Sequence, residues 1–369
     1  MAVFSGTLNT NEIFGSLFNM IISQQVFTDN IQGGYTDLVD EARVDGSLYG
    51  DTKLYYSTNC LRSQPWGNDA EATNLLALDR PKDPECQSIT LDVFRQIRLT
   101  DDNYLSKRAW STEGAFSSFI SVMIQWIRET KRIYDMTLYN AYIGANKSSA
   151  QADYDIDVTT ATSGLSGNEY NRVKAQTIAT GVANLYVKMK NINREFNDYG
   201  YVRSYKKDAI KIVWNSKYVN EITKMDIPTI YHKDGLFNDI EKNSLPETYF
   251  GNINAAATPG DGSTIYAATE LDFNTPGLSM ADPLWDASKH VFAGELIPVG
   301  ETAPAGASYT LDGTIIAKVM VKLPPFMSAF ETGTNFFNPR SLTENHYLTW
   351  GHNTLEYLYA YPFFNIVEI

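Results

Sequence analysis

The chain has 369 residues, which is enough for two domains or for one large domain with extensions. Its 43 acidic and 30 basic residues give a net charge of −13, which argues against a protein that grips nucleic acid over a broad face, because phosphate binding needs clustered Lys and Arg. The start carries no basic residue of a secretory signal, no apolar run is long enough to span a membrane, and Cys60 and Cys86 are too few for a disulfide framework, so we expect a cytoplasmic protein with free thiols.

Residues 1–32 predict an extended lead followed by an amphipathic helix. Asn9, Thr10 and Asn11 are candidate caps, and Gly33-Gly34 predicts the end of the helix. The apolar residues at helical spacing are Ile13, Phe14, Leu17, Phe18, Ile21 and Ile22. A helix this short cannot form its own core, so we expect this arm to dock on the body or on a neighbouring subunit.

Residues 43–104 predict an outgoing strand, a long polar excursion and a returning strand. The segment LYGDTKLYYSTNCL (48–61) is typical of a hairpin around Gly50-Asp51. The segment SITLDVFRQIRLT (88–100) alternates like a strand, with a bulge expected at Phe94. An excursion with so few apolar residues would be poorly stable by itself, so we expect it to need a partner surface.

Nine residues of the arm and the excursion are candidates for contacts between subunits. Apolar side chains of the arm lack a core of their own, and arginine is favoured where planar charge pairing crosses an interface. The candidates are Phe4, Ile13, Phe14, Lys53, Arg62, Trp66, Arg80, Arg95 and Arg98. The alternative is that the basic residues are solvated side chains at strand edges.

The next segment gives the strongest helical signal. STEGAFSSFISVMIQWIRETKRIYDMTLYNAYIGA (111–145) has apolar residues at the i, i+3, i+4, i+7 spacing, closed by Gly144. Its roughly thirty residues would span about 45 Å, far above the average helix. A polar linker is expected at 146–167, a second helix at 168–195, and a buried strand at Ile210–Trp214 followed by a short helix.

The last third predicts short strands separated by loops. Strand-like segments are PTIYH, ETYFGNIN, HVFAGELIPVG and TIIAKVMVKLP. Residues 251–283 and 299–313 are rich in Gly, Ala, Thr and Pro, which predicts long loops or an insertion. The chain ends in LEYLYAYPFFNIVEI, which we interpret as a strand pair or one long strand.

No catalytic motif stands out in the sequence. GxSxG, CxxC and phosphate-loop motifs are absent, the GDG at 260–262 indicates a turn, and Asp155 and Asp157 lack the rest of a calcium loop. On a strand, His346 and His352 would share one face about 20 Å apart, too far for one metal unless the chain turns at Gly351. We interpret them as surface or hydrogen-bonded core histidines at the turn before the last strand.

The order of these elements resembles the major capsid proteins of tailed bacteriophages, which have the Hong Kong 97-type fold also seen in encapsulin shells. In that family a returning strand leads through an acidic turn and a small helix into a spine helix that ends in an aromatic or acidic pair and a glycine. The matching places are Asp101-Asp102, Ile133-Tyr134-Asp135 and Tyr142-Ile143-Gly144. KIVWNSKYVNEI resembles the strand and helix of the axial domain, and YPFFNIVEI resembles the terminal strand that returns to the peripheral domain.

The resemblance implies an α+β protein of the Hong Kong 97-type capsid fold. It implies an N-terminal arm at 1–42, an extended loop hairpin at 43–104, a peripheral domain with the spine helix at 105–200 and 345–369, and an axial domain with long loops or an insertion at 201–344. It further implies a structural subunit, not an enzyme, without cofactor or metal. Such subunits assemble through pentamers and hexamers into an icosahedral head that encloses double-stranded DNA.

Partners and location follow from the same resemblance. The implied partners are other copies of the chain, a portal protein, and packaged double-stranded DNA that is bordered without sequence-specific binding; no membrane is implied. The start lacks the long, cleaved, coiled-coil-rich segment of some family members, so the resemblance implies a separate scaffolding protein, or none. The protein would be made in the bacterial host cytoplasm and reside in the virion, and its size and Tyr/Asn-rich style resemble capsid proteins of small short-tailed phages.

Two other interpretations stay open at the level of sequence. A hydrolase could use His346, His352 or His232 with nearby carboxylates, and would form a small oligomer. A tail or adhesion protein could bind host glycans through exposed aromatic residues, and would form trimers or small rings. The weakly supported excursion and the long helix favour the shell subunit.

Overall fold

The computed structural model of the chain describes residues 38–46, 51–63, 80–102, 113–146, 151–223, 243–254, 258–261, 264–266, 296–297, 299–300, 302–303 and 308–369. Several sequence predictions lie outside these residues. They are the N-terminal helix, Phe4, Ile13, Phe14, Trp66, His232, His290, the segment PTIYH and most of HVFAGELIPVG.

The described residues form helices and strands in mixed order. The α-helices are α1 (Leu38–Ala42), α2 (Glu113–Gly144), α3 (Val158–Ala161), α4 (Gly167–Lys190) and α5 (Ser216–Thr223). The strands are β1 (Arg43–Asp45), β2 (Thr52–Ser57), β3 (Glu85–Asp101), β4 (Ala145–Asn146), β5 (Tyr154–Ile156), β6 (Lys211–Asn215), β7 (Ser244–Leu245), β8 (Gly251–Asn254), β9 (Thr258–Pro259), β10 (Thr264–Tyr266), β11 (Thr302–Ala303), β12 (Ser308–Leu311), β13 (Ile315–Met320), β14 (Phe326–Asn338), β15 (Thr343–Asn353) and β16 (Phe363–Glu368).

The longest strands form one five-stranded sheet, here called the long sheet, in the order β1-β14-β15-β3-β2. Strand β3 has 17 residues, which corresponds to about 56 Å of extended chain. Its odd-numbered side chains are buried or half-buried, with Ile89, Leu91 and Val93 among the buried ones, while its even-numbered ones face solvent. This alternation is the pattern of a sheet with one covered face, and the cover includes helix α2.

The outgoing and returning strands of the excursion pair as the sequence predicts. Strand β2 pairs antiparallel with the start of β3, from Thr52 opposite Thr90 to Ser57 opposite Glu85. The hairpin predicted around Gly50-Asp51 includes residues 48–50, which lie outside the described residues, and it stays a prediction.

The predicted bulge at Phe94 is wrong. Phe94 stays in register opposite Gly351, and the register shifts where Asp92 stands between Val93 and Leu91. The Asp92 carboxylate accepts hydrogen bonds from the backbone N–H of Thr354, at 2.7 Å, and from its hydroxyl. The register shift thus lets Asp92 bind Thr354, which joins the sheet to the segment that follows β15.

Helix α2, the spine helix, extends over 32 residues or about 48 Å, as predicted. Its C-terminal half is buried, with Leu138, Tyr139, Tyr142 and Ile143 almost inaccessible to solvent. It ends at Gly144, where an added Cβ would lie only 2.2 Å from the Tyr249 carbonyl oxygen. Close packing of backbone on backbone thus requires glycine at the end of the spine.

A second five-stranded sheet, here called the central sheet, has the order β5-β16-β13-β6-β7. The predicted strand at 210–214 and the helix after it are confirmed as β6 and α5. All six residues of β13 are buried, because the sheet has the spine helix on one side and α4 on the other. Buried Lys318 of β13 donates to the Ala145 carbonyl oxygen, at 3.3 Å, and to Asn365 Oδ1, at 3.0 Å, and so links β13 to the end of the spine and to β16.

Several loop predictions are corrected by the sheets. The expected linker at 146–167 contains β5 and α3, and the second helix ends at Lys190. Described parts of the expected loops at 251–283 and 299–313 form the strands β8, β10 and β12. These strands join β4 in a small sheet with the order β10-β12-β8-β4. These strands have two to four residues, too short for a sequence period to reveal them.

The end of the chain forms one strand, β16, after an irregular segment. It lies between β13 and β5, so the central sheet joins residues on both sides of the domain boundary expected at 344/345. The domain boundaries themselves stay predictions.

Candidate assembly surface

A buried cluster of charges fixes the spine helix to the long sheet. The Lys131 ammonium lies 3.1 Å from the Asp135 carboxylate one turn along the helix and 3.3 Å from the Glu331 carboxylate on β14. Arg43 of β1 reaches Asp135 at 3.6 Å. Burial raises the pKa of the Asp135 carboxyl above its ordinary value, against the opposing effect of Lys131. The spine helix, β1 and β14 therefore meet at the Lys131–Asp135 ion pair.

His352 belongs to the same layer as a hydrogen-bonded core histidine. Its Nδ1 lies 2.9 Å from the Asn353 carbonyl oxygen, which can only accept, so Nδ1 carries the proton and Nε2 accepts from the Tyr134 hydroxyl at 3.0 Å. Burial lowers the pKa of this imidazole and keeps it neutral. The core interpretation of His352 is confirmed.

The predicted place of the two histidines, at the turn before the last strand, is wrong. His346 and His352 lie inside β15 and are both buried on its face toward the spine helix. Strand β15 is long because it pairs along β3 on one side and β14 on the other. Gly351 does not form a turn. It leaves room for the Phe94 ring, which would lie 3.0 Å from a Cβ added at this position.

Both ends of the excursion are supported by the chain itself, which corrects the expectation that only a partner could support them. Buried Gln87 donates to the Tyr357 carbonyl oxygen at 2.8 Å and accepts from the Tyr359 N–H at 3.0 Å. At the other end, Asn59 Oδ1 accepts from the Val202 N–H at 3.1 Å. A sequence period cannot reveal such contacts, because they join polar side chains to distant backbone.

The tip of the β14/β15 hairpin is the largest unsupported element among the described residues. Residues 331–337 are exposed at every position, on both faces of the strand, and Phe336 and Phe337 are 60% and 49% accessible. Strand β1 covers the outer edge of β14 only at Phe326–Ser328. Long exposed edges with apolar side chains invite pairing with another chain, so this tip is a candidate contact surface.

The sequence analysis missed this surface. The segment ETGTNFFNPRSLTENHYLTW contains two runs rich in Thr and aromatic residues around an Asn-Pro turn, which is a hairpin signal. Leu54 and Tyr56, which are exposed on β2, were missed as well. Outward apolar residues are recognisable only once the covered face of a strand is known.

The described candidate contact residues lie in different environments. Arg62 and Arg80 are exposed at the ends of the described excursion, and Arg98 is exposed on β3, with its Nε 2.8 Å from Gln96 Oε1. Lys53 lies 3.1 Å from the Asp51 carboxylate. Arg95 faces the opposite side of β3 from Arg98, with its guanidinium 5.8 Å from the Tyr134 ring centre. Arg95 therefore belongs to the layer between helix and sheet, and its expected contact with another subunit stays untested.

The described residues offer neither a metal cluster nor a membrane helix. They contain no group of three or more His, Cys, Asp or Glu side chains arranged around a common point. None of their helices combines the length and apolar character needed to cross a bilayer.

Comparison with known proteins finds the same fold in solved phage structures. Neither a family model nor a curated protein matches the sequence. A chain from the capsid structure of Staphylococcus phage Andhra superposes with a TM-score of 0.50 at 11% identity, over 100% of this chain and 94% of that one. A chain from the structure of head fiber and inner core protein gp22 of native bacteriophage P68 gives a TM-score of 0.52 at 12% identity, over 94% of this chain and 88% of that one. The protein thus has, over its whole length, a mixed helix-and-sheet fold found in phage capsids.

Proposed function

We propose that this protein is the structural subunit of an icosahedral tailed-phage head. In this proposal it assembles through pentamers and hexamers around double-stranded DNA, resides in the virion, and has no catalytic role. The observation that carries the proposal is the match to the Andhra capsid structure, which covers the whole of this chain and almost the whole of that one. A partial match could reflect one shared domain, whereas this match extends over nearly the full length of both chains.

The exposed surfaces support assembly. The β14/β15 tip presents Phe336 and Phe337 at the far end of a long sheet, and β2 presents Leu54 and Tyr56 at its other edge. These surfaces lie at opposite edges of one sheet, so contacts through them would join unlike surfaces of neighbouring copies. Unlike-surface contacts close into rings when the rotation between copies allows it.

The proposal also includes the finer features of the family. They are the Hong Kong 97-type division into arm, extended loop, peripheral domain and axial domain, a separate scaffolding protein, and a portal protein. Contacts between subunits are assigned to the arm and the excursion through the nine candidate residues, and the structure adds the β14/β15 tip. Packaged DNA is bordered rather than read, in keeping with the net charge of −13.

The described histidines do not favour the hydrolase interpretation, and His232 lies outside the described residues. Both ring nitrogens of His352 are engaged by Tyr134 and Asn353 in the core. His346 lies six residues away on the same extended strand, which keeps the two rings apart. Exposed aromatic residues fit glycan binding as well as assembly, and the match to the Andhra capsid structure favours assembly.

Sedimentation velocity of the purified protein tests the proposal. The protein would be produced alone and together with a candidate scaffolding protein, over a range of salt and protein concentrations. We expect pentamers, hexamers or particles of many copies in at least one of these conditions. A monomer or dimer throughout, with every scaffold tried, would contradict the proposal.

A further inference from the structure

One surface of this acidic protein is strongly basic. Between residues 188 and 207 the sequence has six basic and only two acidic residues. The basic residues, here called the basic surface, are Lys188, Lys190, Arg194, Arg203, Lys206 and Lys207. The remaining chain is correspondingly more acidic than the net charge of −13 suggests.

The fold brings these residues together. After α4 the chain turns back, and a β-bridge joins Asn193 to Arg203. The Tyr205 N–H donates to the Met189 carbonyl oxygen at 3.0 Å, and the Ser204 hydroxyl donates to the Lys190 carbonyl oxygen at 2.7 Å. The end of α4 and the returning segment therefore run side by side, which brings the basic residues at the end of α4 close to those of the returning segment.

None of the six forms an ion pair with a carboxylate of the described chain. Three of them lie over tyrosine rings instead: Lys188 over Tyr154, Arg203 over Tyr201 and Lys207 over Tyr186, at 5.5 to 5.6 Å. In these contacts the charged group itself lies over the ring, and no carboxylate among the described residues neutralises its charge. The acidic residues of this stretch are Glu195, Asp198 and the adjoining Asp208; Asp198 accepts hydrogen bonds from Gln151 and Tyr357, and none of the three forms an ion pair with the six basic residues.

Clustered like charges repel one another, and a chain with 43 acidic residues could easily place carboxylates among them. We propose that the basic surface is a contact between copies, and that its partner is an acidic surface of the neighbouring copy. This inference rests on the proposed assembly and names one of its contacts. The segment also borders the excursion, because Arg203 donates to the Thr58 carbonyl oxygen at 2.8 Å, so the contact adjoins the candidate residue Arg62.

A second copy fits this surface better than nucleic acid does. The molecule as a whole is acidic, so a long polyanion that continues past the basic surface comes close to carboxylates, whereas a neighbouring copy can meet the basic surface with a local patch of its own carboxylates. Tyrosine rings that could stack on bases are covered by cations instead. The same pairing gives subunits that each carry −13 a way to approach one another.

Zero-length cross-linking tests the contact directly. Particles would be assembled from equal parts of ¹⁴N- and ¹⁵N-labelled protein and treated with a carbodiimide, which joins lysine amines to carboxylates in direct contact. We expect mixed-isotope cross-links from the peptides that contain Lys188, Lys190, Lys206 or Lys207 to acidic peptides. Particles that give mixed-isotope cross-links elsewhere but none from these lysines would overturn the inference and leave the proposed function intact.

Charge reversal gives the second test. The variant Lys190→Glu/Arg194→Glu/Lys206→Glu should raise the concentration needed for assembly by about tenfold or more, because like charges would then face each other across the contact. The matched control Arg132→Glu/Arg172→Glu/Lys322→Glu has the same net charge and changes exposed residues outside the proposed contacts, and should assemble more readily. Circular dichroism would establish that both fold.

Equal assembly of the two variants would overturn the inference. A nucleic-acid role for the surface would also overturn it. The sign of that role would be absorbance at 260 nm that resists nuclease in wild-type particles and disappears in the Lys190→Glu/Arg194→Glu/Lys206→Glu variant, while assembly is unchanged. In both cases wild-type particles would still support the proposed function. Failure of the wild type to assemble would instead count against the proposed function itself.

Discussion

Single residues determine how the spine helix meets the rest of the protein. Gly144 lets the end of the helix touch the backbone at Tyr249, and the Lys131–Asp135 pair of the helix binds Arg43 of β1 and Glu331 of β14. These positions are small or charged, and none contributes an apolar side chain to the core. The spine is therefore held in place by contacts that hydrophobic periodicity does not register.

The close approach at Gly144 predicts a loss of stability when a methyl group is added. Gly144→Ala should lower the free energy of unfolding by about 1–3 kcal/mol, because the backbone at Tyr249 must move. Denaturant unfolding of the unassembled subunit measures this. The matched control is Gly333→Ala, where no atom lies within 4 Å of the added Cβ. Equal stability of the two variants would show that the end of the helix has room to spare.

The buried His352 predicts a pH dependence of stability. Its pKa is lower in the folded than in the unfolded protein, so below its ordinary pKa of 6.5 the unfolded chain binds a proton that the folded chain resists. This group therefore removes stability as the pH falls from 7 toward 5. In His352→Gln, the free energy of unfolding should change less over that interval than in the wild type. An unchanged slope would contradict the assignment of a neutral, buried imidazole.

Elements with a strong local pattern could be predicted from the sequence, and elements set by distant pairing could not. The spine helix and β6 follow from the spacing of their own apolar residues. By contrast, β15 contains His346, His352 and Gly351, which suggest a site or a turn when considered locally. They lie in a strand because β3 and β14 pair along its whole length.

The candidate surfaces show the same division. Lys53, Arg62 and Arg98 were selected because an excursion short of apolar residues needs contacts, and Arg62 and Arg98 are exposed in the structure. The β14/β15 tip and the basic surface were not selected. The first depends on knowing which face of a strand is covered, and the second depends on the bridge that brings Arg203 beside Asn193.

The β14/β15 tip predicts an assembly defect without a folding defect. Phe336→Asp/Phe337→Asp removes exposed apolar surface from the hairpin. Because both phenylalanine side chains are largely exposed in the isolated subunit, replacing them should cost little stability. The variant should fold with wild-type stability and fail to form large particles by sedimentation velocity. The control Leu296→Asp/Val299→Asp adds the same charges at exposed apolar residues elsewhere, and should assemble. Normal assembly of the Phe336/Phe337 variant would remove the tip from the set of contacts.

At the scale of the whole molecule, the protein combines a well-formed centre with surfaces that a single copy leaves uncovered. The central sheet and the spine helix share two apolar cores, whereas the long sheet extends to a tip that is exposed on both faces. A subunit of a closed shell needs both features, because its centre must fold before its edges find neighbours. The full-length match to a phage capsid structure is consistent with this division.

Electron microscopy of the purified protein, produced alone and with a candidate scaffolding protein, tests the central claim most directly. The account predicts closed shells, tubes, or rings with five-fold and six-fold symmetry, in which the β14/β15 tip and the basic surface lie between copies. Shells that appear only with the scaffolding protein would also agree with it. Compact monomers or dimers in every condition would contradict it.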